Sequence, residues 1–465
     1  MSSSLPSEFG RRKFIGACCA AVGTTGMLSA LAQLRMMGAA AGAGMGAESA
    51  MAGAGDYKAL VCLFLAGGND ANNMLIPNDG AGYAAYAAAR SGLALPRASL
   101  LALAPRTPDG RSFALHPALD DLRGLFSEGH AALLANVGTL AAPTTKAQYA
   151  ARSVPLPRQL FSHNDQQVQW QSSLPDQMFA SGWGGRLADL TNAFNEKNDI
   201  SMSISLAGQN AFQVGRTVTQ YAVNANGVVQ PAYAGGAIGA IRLHAQNDLL
   251  RGGGDNLFDA AFSGLTASAV ADSALLDSIL RKETPLHTEF PKSSLGNQLR
   301  MIARLVAVAP NLGLKRQIFF ARVGGWDLHD GQLPAHAKLL TDLSQSLAAF
   351  YRATVEIGVA PQVSTFTASD FGRTFTSNGG GSDHGWGSHH LIVGGAVKGG
   401  EIYGRVPDLV LNGPEDTGRG RWIPTTSVDE YSATLARWFG VSAADLPVVL
   451  PNIGRFEKPD LGFLL

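Results

Sequence analysis

The sequence predicts an α/β fold in which helices cover both faces of a mostly parallel central sheet. Continuous apolar runs of strand length recur along the chain, and such runs are typical of strands buried on both faces. Longer segments with helical periodicity separate these runs. Strands that alternate with helices in this way indicate a doubly wound parallel sheet.

Each element is predicted from its own local pattern. The apolar runs predict strands at residues 59–65, 131–137, 318–323, 363–368 and 391–394. The helical patterns cover residues 82–90, 162–173, 182–194, 257–282, 294–308 and 333–357. A capping-box pattern at Ser427–Glu430 predicts a further helix that continues to Phe439. Residues 198–254 are rich in Ser, Thr, Gln, Asn, Val and Gly with little helical period, so we expect an inserted β-rich or irregular cap near the face of the domain that holds the functional site.

The composition allows a large core and argues against some partners. The 465 residues are 46% hydrophobic. The 36 basic and 36 acidic residues give a net charge of zero, so the chain lacks the electrostatic footprint of a protein that binds nucleic acid or an anionic membrane surface. The sequence contains no dinucleotide fingerprint and no haem or iron–sulfur ligand set, which leaves an oxidoreductase with little support.

The N-terminus has the features of a twin-arginine (Tat) export signal. The paired Arg11-Arg12 precedes an apolar, Ala-rich stretch, and Ala30-Leu31-Ala32 offers the small residues that a signal peptidase prefers. We predict a signal peptide at residues 1–32, a flexible linker at 33–56 and an α/β domain at 57–465. The alternative for the first segment is a transmembrane anchor. In the favoured interpretation the protein uses the Tat machinery, is periplasmic or secreted, and keeps no stable membrane span after cleavage.

Two short segments pair a carboxylate with an imidazole in positions that suggest metal ligands. Asp327 and His329 follow a predicted strand two residues apart, so in an extended backbone both side chains point the same way. Asp383 and His384 lie between glycines, where core packing does not explain them. We predict that Asp327, His329 and His384 bind a metal ion, with Asp383 as a further ligand or as the partner that fixes an imidazole tautomer. The alternative is that Asp327 caps a turn and His329 packs on Trp326.

Asp70 and Asp370 also follow predicted strands. Ligands gather at the carboxyl ends of strands in open α/β sheets, so each carboxylate is a predicted metal ligand. The alternatives are a turn or N-cap for Asp70 and an ion pair with Arg373 for Asp370. Arg373 can instead pair bidentately with the oxygens of a phosphate or sulfate group.

Ser162 and His163 are a different kind of candidate, because they precede and begin a predicted helix. The Ser162 hydroxyl can act as the N-cap of that helix. It can also act as a nucleophile, since the helix dipole and the free N–H groups stabilise an alkoxide and a bound anion. His163 is a candidate catalytic residue beside it.

The chain resembles a bacterial Tat-exported family that is catalogued as domain of unknown function 1501. The resemblance covers nearly the whole chain and is carried by the motifs Leu63–Asp70, Ser162-His163, Gly325–His329, Ser369–Arg373 and Ser382–Gly385. That family is placed with the alkaline phosphatase and sulfatase superfamily. The resemblance implies an alkaline-phosphatase-like core sheet flanked by helices, with one or two divalent metals at its carboxyl edge.

The resemblance also implies roles for the residues of these motifs. The implied metal ligands form two sets, one of Asp70 and Asp370 and the other of Asp327, His329 and His384. Ser162 would stand near the place of the nucleophile that attacks phosphorus or sulfur. Phe371 follows Asp370 where the superfamily commonly has a histidine, which removes an imidazole from the first set.

The sequence therefore predicts an exported metal-dependent hydrolase that acts on small anionic phosphate or sulfate esters. One or two divalent ions (Zn, Mn, Mg or Ca) would polarise the ester oxygen and lower the pKa of the attacking hydroxyl. Arg373 would neutralise charge on the transferred group. The alternative, which the Asp370-Phe371 sequence favours, is a degenerate non-catalytic member that binds an anion, a glycan or an exported partner protein.

Overall fold

The computed structural model describes residues 57–196, 199–225, 257–283 and 285–465, together with a few positions between 227 and 248. The predicted export signal at residues 1–32 and the predicted linker at 33–56 lie outside the described residues. Most of the predicted insertion after residue 225 lies outside them as well.

The strands of the described chain form one large and one small sheet. They are β1 (Lys58–Leu65), β2 (Leu75–Pro77), β3 (Leu101–Ala102), β4 (Phe113–Leu115), β5 (Ala131–Gly138), β6 (Ser203–Ser205), β7 (Tyr221–Ala222), β8 (Arg316–Val323), β9 (Val363–Ser369), β10 (Ser388–Gly394), β11 (Ile402–Gly404) and β12 (Thr426–Ser427). Nine of these strands make the central sheet in the order β11-β5-β10-β9-β1-β8-β6-β7, with β12 also paired to β5. The small sheet has the order β2-β4-β3.

Helices cover both faces of the central sheet. They are α1 (Gly80–Arg90), α2 (Asp120–Glu128), α3 (Lys146–Ala151), α4 (His163–Ser172), α5 (Trp183–Thr191), α6 (Leu257–Leu280), α7 (Ser294–Ala307), α8 (Gln332–Ile357), α9 (Val428–Phe439) and α10 (Leu446–Val449). One group packs α8 against α2 and α7, and a second group contains α4, α5, α9 and α10. The central strand β1 is buried almost throughout, as a strand covered on both faces must be. The predicted α/β fold class is confirmed.

Within the central sheet, β10 alone of the described strands runs antiparallel to its neighbours. The strands β1, β8 and β9 run parallel and end at the same edge of the sheet. Because β10 runs the other way, its first residue lies at that edge too, opposite Val137 near the end of β5. The loops after β1, β8 and β9 and the loop before β10 therefore meet at one place.

The first part of the predicted insertion belongs to the central sheet. Strand β6 pairs in parallel with β8, and β7 pairs with β6. In this part the chain extends the sheet edge rather than forming a separate cap. Within the described chain, every helix is too short or too polar to cross a membrane.

Two histidines of β10 are core residues. His389 and His390 are 5% and 1% exposed. The backbone N–H of Asn136 donates to His389 Nδ1 at 3.0 Å. The His390 ring packs against Trp170 and Tyr431, at centroid distances of 4.7 and 6.0 Å. Neither imidazole takes part in the site described below.

Burial of these imidazoles predicts a loss of stability in acid. Burial lowers the pKa of His390 to about 3, from 6.5 in the unfolded chain. The unfolded state therefore takes up a proton below pH 6.5 that the folded state refuses, so stability falls as the pH drops from 6.5 towards 3. Each such histidine contributes about 1.4 kcal/mol per pH unit in that window.

Replacing His390 with Phe should make this pH dependence shallower by about that amount. Urea midpoints measured between pH 7 and pH 4.5 test this expectation. His244→Gln, which removes a 79% exposed imidazole, should leave the wild-type slope unchanged. Equal slopes for wild type and His390→Phe would show that His390 does not carry the effect.

Candidate metal centre

Three histidines and one aspartate from distant parts of the chain converge at the carboxyl edge of the sheet. Asp327 and His329 lie in the loop between β8 and α8, and His384 lies just before β10. His163 is the first residue of α4. Their side chains are 25–45% exposed, so the group is open to a small molecule from solvent.

The potential ligand atoms of this group face one another. His384 Nε2 lies 3.1 Å from His163 Nε2 and 3.1 Å from His329 Nε2. Asp327 Oδ1 is 2.9 Å from His329 Nε2 and 3.4 Å from His384 Nε2. Asp327 Oδ2 is 3.3 Å from His163 Nε2. One ligand atom from each of His163, Asp327 and His384 falls within a common span of 4.8 Å.

Every one of these imidazoles is held through its other nitrogen. His163 Nδ1 lies 2.7 Å from Asp370 Oδ2, and His329 Nδ1 lies 3.1 Å from Asp383 Oδ1. His384 Nδ1 lies 2.8 Å from the carbonyl oxygen of Phe161. Since these partners are acceptors, each Nδ1 donates a proton to its partner, and Nε2 is the atom of each ring that faces the centre. Hydrogen bonds of this kind orient the imidazoles of metal sites.

A divalent cation fits this group of atoms. Three inward lone pairs and a carboxylate repel one another unless a proton or a cation lies between them. Metal–ligand bonds of about 2.1 Å place neighbouring ligand atoms about 3.0–3.4 Å apart. The Nε2–Nε2 distances of 3.1 Å and the Oδ–Nε2 distances of 2.9–3.4 Å fall in or next to this range.

The charges around the centre keep its carboxylate ionised. Burial opposes the ionisation of Asp327, but the hydrogen bond and charge of Arg373, with the nearby imidazoles, lower its pKa below the usual value. The hydrogen bond that His163 donates to the Asp370 carboxylate raises the pKa of His163, against the effect of burial. Burial lowers the pKa of His384, which favours the neutral, metal-binding form of that ring.

Arg373 holds Asp327 and lies inside the protein. Its side chain is 1% exposed, and its Nη1 donates to Asp327 Oδ1 at 2.6 Å and to the carbonyl of Gly67 at 3.2 Å. Its Nη2 donates to the carbonyl of Ser382. The predicted contact of Arg373 with a transferred group differs from this arrangement, in which the guanidinium is directed at protein oxygens.

Asp370 and Asp383 stand behind the imidazoles. Asp370 is fully buried and also accepts from Gly67 N at 3.0 Å and Gln167 Nε2 at 2.8 Å. Asp383 accepts from Asn378 Nδ2 at 3.1 Å and pairs with Arg419 Nη1 at 2.5 Å. In the structure both carboxylates contact Nδ1 atoms, so each of them orients the imidazole that it contacts.

Asp70 lies in a separate buried network, apart from the predicted set with Asp370. Its Oδ2 pairs with Arg90 and accepts from Gln332 Nε2. Arg90 and Asp70 are 0% and 2% exposed. Gln332 Oε1 accepts from Ser382 Oγ at 2.6 Å, which links this network to the loop before β10. The guanidinium of Arg90 thus places a positive charge beside Asp70 Oδ2.

Ser162 occupies the predicted N-cap position of α4, at the end of a strained turn. Its hydroxyl donates to Asp165 Oδ2 at 2.6 Å rather than capping a backbone N–H. Gln159 and Phe161 have φ angles of +48° and +73°, which are costly for residues with a side chain. The turn directs the Phe161 carbonyl to His384 and brings His163 to the centre.

Residues outside the predicted ligand set also shape the centre. Phe371 packs against the rings of His163 and His384, at centroid distances of 4.8 and 4.7 Å. Its position directly after Asp370 was the available signal. Gly67, with φ +122°, leaves no room for a side chain, because a Cβ there would lie 2.4 Å from the backbone nitrogen of Asp327.

Replacing Asp370 with Asn should weaken metal binding by about 10- to 100-fold, the usual effect of removing a partner that orients a ligand. The amide keeps the shape of the side chain but loses the charge that holds the Nδ1 proton of His163. Titration of the protein with a divalent ion against a competing chelator measures the change. Asp109→Asn, at a 52% exposed carboxylate, is the control and should bind as wild type does. An unchanged affinity in Asp370→Asn would contradict the role given to Asp370.

Comparison with known proteins gives distant structural likenesses and one family. The chain is similar to Ps i-CgsB in complex with k-i-k-neocarrahexaose, with 12% identity over 87% of this chain and 78% of that one and a TM-score of 0.33. It is similar to the PsFucS1 sulfatase from Pseudoalteromonas sp., with 11% identity over 91% and 73% and a TM-score of 0.32. It is also similar to the phosphonate monoester hydrolase of Agrobacterium radiobacter, with 12% identity over 84% and 77% and a TM-score of 0.28. At these TM-scores the likenesses support no conclusion about activity.

No curated protein matches the sequence. The family described as "Protein of unknown function (DUF1501)" matches residues 57–418, which include every residue of the centre. The chain therefore belongs to the DUF1501 family.

Proposed function

We propose that this protein is an exported metal-dependent hydrolase of phosphate or sulfate esters. The observation that carries the proposal is the inward orientation of three Nε2 atoms around the Asp327 carboxylate, with each Nδ1 engaged by an acceptor. His163, His329, His384 and Asp327 would hold the ion. A donor set dominated by imidazole favours zinc among the four ions that the sequence suggests.

The residues of the chain have separate tasks in this proposal. A bound divalent ion supplies Lewis-acid activation of the ester oxygen. Ser162 is the proposed nucleophile, and the Asp165 carboxylate, 2.6 Å from its hydroxyl, is placed to accept the proton as the hydroxyl attacks phosphorus or sulfur. The bond from phosphorus or sulfur to the alcohol oxygen breaks in that step, and the alkoxide takes a proton from solvent and leaves as the alcohol. Water then hydrolyses the Ser162 ester and releases phosphate or sulfate. Arg373 fixes the position of Asp327.

A second candidate is a non-catalytic protein that uses the same centre to bind an anion. The observation in its favour is the pairing of Asp70 with Arg90, which leaves that carboxylate neutralised by the protein itself. A centre with one cation has less means to stabilise both the attacking and the leaving oxygen than a pair of metals has.

Metal analysis and an ester panel test the proposal. We expect the purified protein to carry about one equivalent of a divalent metal, as one cluster of ligands of this kind would hold. It should hydrolyse p-nitrophenyl phosphate or sulfate, lose that activity on chelation and regain it when the ion is restored. His384→Ala should lose both metal and activity, whereas His244→Ala, at an exposed imidazole, should keep both.

Two outcomes would count against the proposal in different ways. A metal-bound protein without turnover on any ester would favour the anion-binding candidate. Hydrolysis by His384→Ala at the wild-type rate would remove the centre from the mechanism. The export step is a separate proposal, and retention of an Arg11→Lys, Arg12→Lys variant inside the cell would support it.

A further inference from the structure

The segment Asp416–Arg421 is a loop built around one buried carboxylate. Asp416 is 0% exposed, and its Oδ1 accepts from the backbone N–H groups of Gly418 at 2.6 Å, Gly420 at 2.8 Å and Arg421 at 3.1 Å. Its Oδ2 accepts from Asn412 N at 2.8 Å. These bonds fix the backbone, so the two arginines of the loop have defined positions.

Both arginines of the loop contact the surroundings of the metal centre. Arg419 pairs with Asp383, which holds the His329 ring. Arg421 Nε donates to the carbonyl of His384 at 2.9 Å. The Arg421 guanidinium also lies over the ring of Phe161, 4.5 Å from its centroid. Arg421 is thus anchored to two residues that the centre itself uses.

The outer end of Arg421 has unused hydrogen-bonding capacity. Its Nε and its ring contact are satisfied, while neither Nη atom has a hydrogen-bond partner among the residues that the structure describes. Arg373, by contrast, uses both Nη atoms on protein oxygens. The two free NH2 groups of a planar guanidinium match the spacing of two oxygens of a tetrahedral oxyanion.

The charge of the centre indicates which oxyanion fits. Among described residues that contact the candidate ligands or their carboxylate partners, the charged groups are Asp327, Asp370, Asp383, Arg373, Arg419 and Arg421. Three negative and three positive charges cancel. With a divalent ion bound, the centre has a charge of +2, which a dianion neutralises and a monoanion does not.

We propose that Arg421 binds the oxyanion of the substrate and that the centre prefers a dianionic phosphate monoester to a monoanionic sulfate ester. This inference rests on the proposed function, because it needs the divalent ion. Arg421 takes the task that the sequence assigns to Arg373, and Asp416 positions it.

Two probes of similar shape and different charge test the inference without turnover. Phenylphosphonate at pH 8.5 is a dianion and benzenesulfonate is a monoanion, and neither contains an ester bond. Calorimetric titration of the metal-loaded full chain should show tighter binding of phenylphosphonate. Arg421→Gln should bind phenylphosphonate about 10- to 100-fold more weakly, the loss expected for charged hydrogen bonds. Metal content, measured by plasma emission, should not change.

Two further variants complete the experiment. Arg421→Lys keeps the positive charge but lacks the paired Nη groups of a guanidinium. Its affinity for phenylphosphonate should fall between those of wild type and Arg421→Gln, which gives a second test if the Gln variant folds poorly. Arg437→Gln removes an arginine that is 43% exposed and pairs with Asp460 on the surface, so it should bind as wild type does.

The outcomes separate this inference from the proposed function. Wild-type affinity in a metal-loaded Arg421→Gln protein overturns the role of Arg421 and leaves the metal centre standing. Equal affinity of wild type for the two probes overturns the preference for a dianion. A wild-type chain that binds neither a divalent ion nor either probe overturns both the proposed function and the inference.

Discussion

Replacing Asp327 with Ala is expected to abolish metal binding and ester hydrolysis together. Asp327 is the carboxylate of the candidate centre, and its two oxygens lie within 3.4 Å of the imidazoles of His163, His329 and His384. Loss of a partner that only orients a ligand costs about 10- to 100-fold in metal affinity, so loss of this ligand should exceed about 100-fold. Chelator competition and hydrolysis rates at saturating metal measure the two effects separately.

Asp330→Ala is the matched control for this experiment. Asp330 lies in the same loop, and its Oδ1 accepts from the N–H of Gly331 at 2.8 Å. It should therefore keep the metal and the activity. If Asp327→Ala bound metal with wild-type affinity, Asp327 would be only the partner of Arg373, and the centre would have to be rebuilt from its histidines.

Replacing Asp70 with Ala should destabilise the fold by about 3–5 kcal/mol, because it leaves the buried Arg90 guanidinium without its counter-charge. Urea unfolding of the wild type and the variant measures this loss. Asp120→Ala breaks an exposed pair with Arg123 and should cost no more than about 1 kcal/mol. The double variant Asp70→Leu, Arg90→Met removes both charges and should recover part of the lost stability.

The same variant tests the predicted second metal site. If Asp70 serves only as the partner of Arg90, folded Asp70→Ala protein should bind as many equivalents of metal as wild type. Loss of one equivalent would instead support the set of Asp70 and Asp370 that the resemblance implies. A stability change below about 1 kcal/mol would mean that Arg90 finds other acceptors, such as the carbonyls of Thr374 and Phe375 to which its Nη1 already donates.

The fold was predictable where single elements carry strong patterns. All five predicted strands and the predicted helices of the described chain are present, with ends that shift by a few residues. The strands that were missed, such as β3 and β7, are two or three residues long, and an apolar pair has no measurable period. The antiparallel direction of β10 was not predictable either, because an apolar run is equally compatible with a parallel and an antiparallel strand.

The candidate site was predictable only in part, for a related reason. The proximity of Asp327, His329 and His384 was predictable because strand ends and the loops beside them gather at one edge of an α/β sheet. Asp70 and Asp370 look alike in the sequence, since both follow a strand. Their surroundings differ because Arg90 reaches Asp70 from α1 and His163 reaches Asp370 from α4. Such long-range partners leave no local signal.

Strand β10 runs antiparallel to its neighbours, and this direction determines which side chains the carboxyl edge of the sheet can hold. The loop that connects β9 to β10 begins and ends at the same edge of the sheet. Its two arms are joined by a hydrogen bond from Thr374 N to the carbonyl of Asp383. If β10 ran in the opposite direction, its first residue would lie at the other edge of the sheet. The seven residues of the strand would place it about 23 Å away. His384 would go with it. The direction of one strand thus determines whether a single loop can supply three parts of the centre. These are the His384 imidazole and the Asp370 and Asp383 carboxylates, which orient the neighbouring imidazoles.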